Sequence, residues 1–141
     1  DDLRGRENKA GFMTLRPYLE FNERVVKTKR RLLQFLVEAK DQGKHIVGYG
    51  APAKGNTLLN YCGIRTDFVD YTVDRSPHKQ GHFLPGVHIP IYDPEQVRAT
   101  KPDYLLILPW NIRGEVMHQM SYIREWGGKF VVPIPEVQVY P

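Results

Sequence analysis

Between Gly48 and Asn56 the sequence reads Gly-Tyr-Gly-Ala-Pro-Ala-Lys-Gly-Asn. Gly48, Gly50 and Ala53 fit the pattern G-x-G-x-x-G/A. When that pattern follows a strand and opens a helix, its glycines let the backbone turn tightly and approach a phosphate. The free N–H groups of a helix beginning near Ala53 would face an anion. Lys54 adds a point charge for the same partner. Asp74 lies 26 residues after Gly48, near the place where the pattern expects an acid for a ribose hydroxyl. A second unusual segment, Pro109-Trp110-Asn111, follows an apolar run. Trp110 could stack on a ring or simply pack, and Asn111 is expected to cap the helix after it. The plain alternative is that Gly48 and Gly50 only make a tight turn and that Lys54 is a solvated helix lysine.

Other chemistry finds less support. A P-loop needs Gly-Lys-Ser/Thr, whereas Gly55 is followed by Asn56 and Thr57. A class I methyltransferase cofactor loop has an acid two residues before its first glycine, and here Ile46 stands there. His78, His82 and His88 lie in a proline- and glycine-rich stretch without zinc-site spacing, so no metal is expected. Cys62 is the single cysteine. It reads as a small core residue, and a lone thiol excludes an internal disulfide. No serine–histidine–acid set or carboxylate pair can be placed from spacing, so no catalytic residue is assigned.

The elements that must position these segments follow from periodicity. Apolar runs at 45–49, 68–73, 89–92, 104–108 and 130–134 alternate with helical candidates at 53–62, 94–100 and 111–126. The connection 74–88 holds Pro77, Gly81, Pro85 and Gly86 and reads mostly as loop. Strands alternating with helices predict an α/β fold, a Rossmann-like doubly wound parallel sheet of five strands in the order 3-2-1-4-5. Ligands in such sheets bind where the strand order reverses, beyond the carboxyl ends of strands 1 and 4. The two unusual segments end those two strands. A long helix over 17–42 precedes the sheet, with Tyr18, Phe21, Val25, Thr28, Leu32, Phe35 and Ala39 on one face and Gly43 as its stop. Residues 1–16 read as a linker, and 17–141 as the domain.

Composition bounds the partners. The 141 residues carry 41% hydrophobic and 26% charged residues, ordinary for a globular domain. The net charge of +4, from 20 basic and 16 acidic residues, suits an anionic small ligand. Nucleic acid is not expected, because the basic residues form no aromatic-interleaved stripe. Lys27, Lys29, Arg30 and Arg31 read as a solvated helix face. No apolar run reaches the ~18 residues of a membrane span, and no signal-peptide layout is visible. A cytoplasmic setting is therefore expected.

Four segments together resemble the C-terminal domain of the S-adenosylmethionine-dependent sugar C-methyltransferases. They are Val47–Thr57, Val73-Asp74-Arg75-Ser76-Pro77-His78-Lys79-Gln80-Gly81, Leu84-Pro85-Gly86 and Leu108-Pro109-Trp110-Asn111. The resemblance runs from about Leu15 to the end. It implies an enzyme that methylates a carbon of a nucleotide-linked keto-deoxysugar. It also implies an N-terminal zinc domain and a middle domain that binds S-adenosylmethionine and supplies the base. This chain would bind no cofactor itself. It would help hold the nucleotide sugar through Gly48, Tyr49, Gly50, Ala51, Lys54, Gly55, Asn56, Asp74, Lys79, Pro109, Trp110 and Asn111. The zinc cysteines and the acidic glycine loop are not in this sequence, so the chain is expected to be that domain alone and not catalytic by itself. Two other readings stay open: a self-sufficient NAD- or coenzyme-A-type nucleotide-binding module, and a non-binding scaffold.

Overall fold

The fold was analysed in a computed structural model, which describes residues 23–141. Helix α1 spans 23–41 among these residues. The expected start of the helix at Pro17, and the linker boundary at residue 16, lie outside them. Strand β1, Ile46–Tyr49, is followed by helix α2, Ala53–Cys62. Short strands β2, Thr72–Val73, and β3, Ile91–Tyr92, come next. Helix α3, Glu95–Thr100, leads to β4, Tyr104–Ile107. Helix α4, Arg113–Gln119, lies between two 3-10 segments, Trp110–Ile112 and Ser121–Trp126. Strands β5, Lys129–Val132, and β6, Gln138–Tyr140, complete the chain.

The sheet order is β3-β2-β1-β4-β5-β6. The first five strands are parallel in the predicted order. A sixth strand, absent from the sequence reading, is added antiparallel at the β5 edge, with Val131 opposite Val139. It was missed because a three-residue segment with two exposed positions carries no apolar run. The predicted helix over 111–126 is the second departure. Met120 ends α4, and a 3-10 segment follows. Met120 and Ile123 are buried and Trp126 packs beside them. Their spacing of three suits a 3-10 repeat, which brings i and i+3 onto one line.

Period-two alternation in β1 divides the core into two layers. Ile46 packs with Leu32, Leu36 and Ala39 of α1 and with Leu59 and Cys62 of α2. Val47 and Tyr49 point the other way, to Val97 of α3, Val116 of α4 and Met120 and Ile123 beyond it. The continuous apolar run Leu105-Leu106-Ile107 is fully buried because both faces of a central parallel strand are covered. Helix α2 begins immediately beyond β1, and the Trp110 segment immediately beyond β4. These two neighbouring strands run in register from Ile46 opposite Tyr104 to Tyr49 opposite Ile107.

Candidate functional site

Each glycine of the loop has a steric reason to be there. Gly50 has φ +91°, and a Cβ on it would lie 2.7 Å from Pro109 Cδ. A Cβ on Gly48 would lie 2.9 Å from Thr72 Oγ1, and one on Gly55 would lie 2.8 Å from Leu108 Cβ. Gly55 thus lets α2 sit directly on the end of β4. A side chain at Gly50 would meet Pro109 and force a left-handed residue into strain. The buried Thr72 hydroxyl donates to the Gly50 carbonyl at 2.7 Å, and the Gly50 N–H donates to the Val73 carbonyl at 2.6 Å.

Asp74 ties this loop to the next one. Its carboxylate accepts the Ala51 N–H at 2.9 Å and the Ser76 N–H at 2.8 Å. Lys79 donates to the Ala51 carbonyl at 3.1 Å, and its ammonium stands 3.9 Å from the Asp74 carboxylate. The position at the end of β2 where the glycine pattern expects a ribose contact is therefore engaged by the chain's own backbone. Asn56 faces along α2, where its carbonyl and side-chain oxygen both accept from Asn60.

Lys54, Trp110 and Asn111 meet on the other side of the loop. The Lys54 ammonium donates to Asn111 Oδ1 and stands 4.9 Å from the centre of the Trp110 ring. Asn111 was expected to cap a helix. Instead it sits inside the 3-10 turn, and neither that turn nor α4 has a side-chain cap. The first turn of α2 has no side-chain cap either. Its leading N–H groups and Lys54 give this end a positive character that an anion would complement.

Lys54 and Trp110 also line an open groove of about 800 Å³. Its walls are Val25 and Thr28 of α1 and Thr57, Leu58 and Tyr61 of α2, with Ile134 and Pro135 behind and Arg24 at the rim. The sequence reading missed these wall residues. The signal was present, since Lys54, Thr57, Leu58 and Tyr61 recur at i, i+3, i+4 and i+7 on one helix face.

The remaining candidates fall elsewhere. Tyr49 belongs to the core of the opposite layer, with its hydroxyl donating to Gln119 Oε1 at 3.3 Å. Burial pushes that hydroxyl's pKa up, against the opposing pull of Arg75. Burial likewise raises the Cys62 thiol, and Cys62 packs in the core. His88 stacks on Phe83 at 4.1 Å between ring centres. Among the described residues no three His, Cys, Asp or Glu side chains gather to hold a metal, and no helix is long and apolar enough to cross a membrane.

Comparison with known proteins gives the family. Among solved structures, the chain has a partial likeness to UDP-D-quinovosamine 4-dehydrogenase from Vibrio fischeri. It is 19% identical with a TM-score of 0.46, over 66% of this chain and 79% of that one. The C-methyltransferase NovU from Streptomyces niveus is 37% identical over 138 residues, covering 98% of this chain. The chain spans 33% of that relative's length. The family described as the C-methyltransferase C-terminal domain matches residues 1–135. With nearly the whole length matched, the chain belongs to the C-methyltransferase C-terminal domain family.

Proposed function

We propose that this domain holds the nucleotide part of a nucleotide-linked keto-deoxysugar for an S-adenosylmethionine-dependent C-methyltransferase. It would present the sugar to catalytic machinery in another part of the protein. The observation that carries this reading is the meeting of Lys54, Asn111 and Trp110 at the start of α2. A cation, a planar ring and free helix N–H groups at one point match a phosphate joined to a base. Lys54 is exposed, and its contact with the ring is worth only about 0.5–1 kcal/mol. The Lys54–Asn111 bond carries charge on one side only, whereas a phosphate would put opposite charges on both, so a phosphate oxygen would compete with Asn111 for the ammonium.

The residues at the glycine loop do not fit S-adenosylmethionine. The Asp74 carboxylate is turned onto Ala51 and Ser76, and Pro109 lies against Gly50. That cofactor supplies the methyl group from elsewhere in the protein on this reading. The same geometry disfavours a dinucleotide lying across the loop. The test is calorimetric titration of the chain with a nucleoside diphosphate. Saturable binding that weakens about tenfold in Lys54→Met, at an unchanged melting temperature, is the expected result. No binding by the parent chain would overturn the reading.

A further inference from the structure

The groove and the glycine loop are two different places, and the structure separates them. The loop is occupied from within. Pro109 covers Gly50, and the Asp74 carboxylate and Lys79 ammonium lock Ala51 from both its N–H and its carbonyl. Among the described residues nothing comparable fills the space on the α1 side of α2, where about 800 Å³ stands open. That size is within the range of small-molecule sites. Its interior is made by Val25, Leu58, Tyr61, Ile134 and Pro135, and its charged members are Arg24 and Lys54. A second, smaller depression of about 260 Å³ shares Arg24, Thr28 and Pro135 with it and adds Lys27, Arg31 and Glu136, of which Arg31 and Glu136 are paired with each other. The groove is thus apolar inside, with the cations Arg24 and Lys54 at its edges.

Such a lining fits a ligand with a flat, weakly polar body and an anionic end. Trp110 and Tyr61 offer ring surface to the body. Lys54, standing over the Trp110 ring, would meet an anion attached to it. We propose that the ligand of this domain lies between α1 and α2 and not across the glycine loop, with its nucleobase in the apolar groove and its diphosphate at Lys54. This placement rests on the nucleotide reading above. It makes α1 part of the binding site, and it leaves the Asp74–Lys79 pair the task of holding the loop shut.

The placement separates base from phosphate, and so does its test. The 141-residue chain is titrated with uridine diphosphate, adenosine diphosphate and inorganic pyrophosphate, in parent form and as Thr28→Phe, Tyr61→Ala and Lys79→Met. Thr28→Phe fills the groove from α1, and Tyr61→Ala removes an exposed ring from its wall. Both should weaken the nucleoside diphosphates about tenfold or more and leave pyrophosphate within about twofold. Binding of a nucleoside diphosphate should also quench Trp110 fluorescence in a Trp126→Phe background. If Thr28→Phe fails to fold, as judged by its melting curve, Tyr61→Ala carries the test alone. Parent-like nucleotide affinity in Tyr61→Ala, with binding lost in Lys79→Met, would put the ligand over the loop. That result would overturn this placement while leaving the nucleotide reading intact. No binding of any diphosphate by the parent chain would sink both.

Discussion

Asp74 and Thr72 show how much of the loop's geometry depends on single polar atoms. The Thr72 hydroxyl is fully buried and donates to the Gly50 carbonyl. Thr72→Val keeps the shape and leaves that carbonyl without its partner, which costs about 1–3 kcal/mol. Urea titration should show the loss as a lower midpoint with an unchanged slope. Three tyrosines make a second prediction. Burial raises the hydroxyl pKa of Tyr49, Tyr71 and Tyr122 above the ordinary value of about 10. A raised folded-state pKa means that the fold prefers the neutral phenol. That contribution is fully present below about pH 10 and is lost as pH rises through the folded-state values. Phenolate absorbance should therefore rise together with unfolding in the alkaline range, later than for free tyrosine. At this scale the sequence was only partly legible. Lys54, Trp110 and Asn111 were placed together by the rule that ligands gather where strand order reverses. The bond from Ala51 to Asp74 and the direction of Tyr49 depend on contacts between residues 23 and 70 positions apart, which no local pattern encodes.

Among the elements, α2 carries the clearest signature. Its bounds, Ala53–Cys62, are those expected from the sequence. Gly55 faces Leu108 so closely that a valine there must push the helix off the sheet. Gly55→Val is expected to destabilise the domain by about 1–3 kcal/mol, and Gly114→Val should act less through packing, because a Cβ at Gly114 meets nothing within 4 Å. Comparing their thermal unfolding checks this directly. The five parallel strands were legible because each lies in a short run rich in apolar residues, most fully so β1 and β4 at the centre of the sheet. Strand β6 and the broken helix after Trp110 were not. The first is too short and exposed to leave a pattern. The second keeps one buried face, and spacings of three and four alike satisfy a helical period at this length.

The described residues form one sheet with helices on both faces, and the chain spans about a third of its methyltransferase relative. If the cofactor is bound elsewhere in the protein, as proposed, the chain by itself should show no saturable heat on titration with S-adenosylmethionine. Specific binding with one-to-one stoichiometry would contradict that expectation. The expected division into a linker and a domain turns on residues outside 23–141, and limited proteolysis would locate it.

Among the described residues, helix α1 is embedded toward its C-terminal end. Leu32, Leu36 and Ala39 are embedded in the core, while Val25 and Thr28 form a wall of the groove. From Leu32, the first embedded residue, to Val25 is 7 residues, about 10 Å of helix. Beyond the embedded turns, an exposed ion pair braces the helix, with Arg31 3.2 Å from Glu136. Such a pair contributes only about 0–1 kcal/mol. The helix is therefore a lever with a firm fulcrum and a soft stay. A tilt of roughly 5° about the embedded turns would shift the Val25 wall by roughly 1 Å over that length. The width of the groove is therefore set by the angle between this helix and α2.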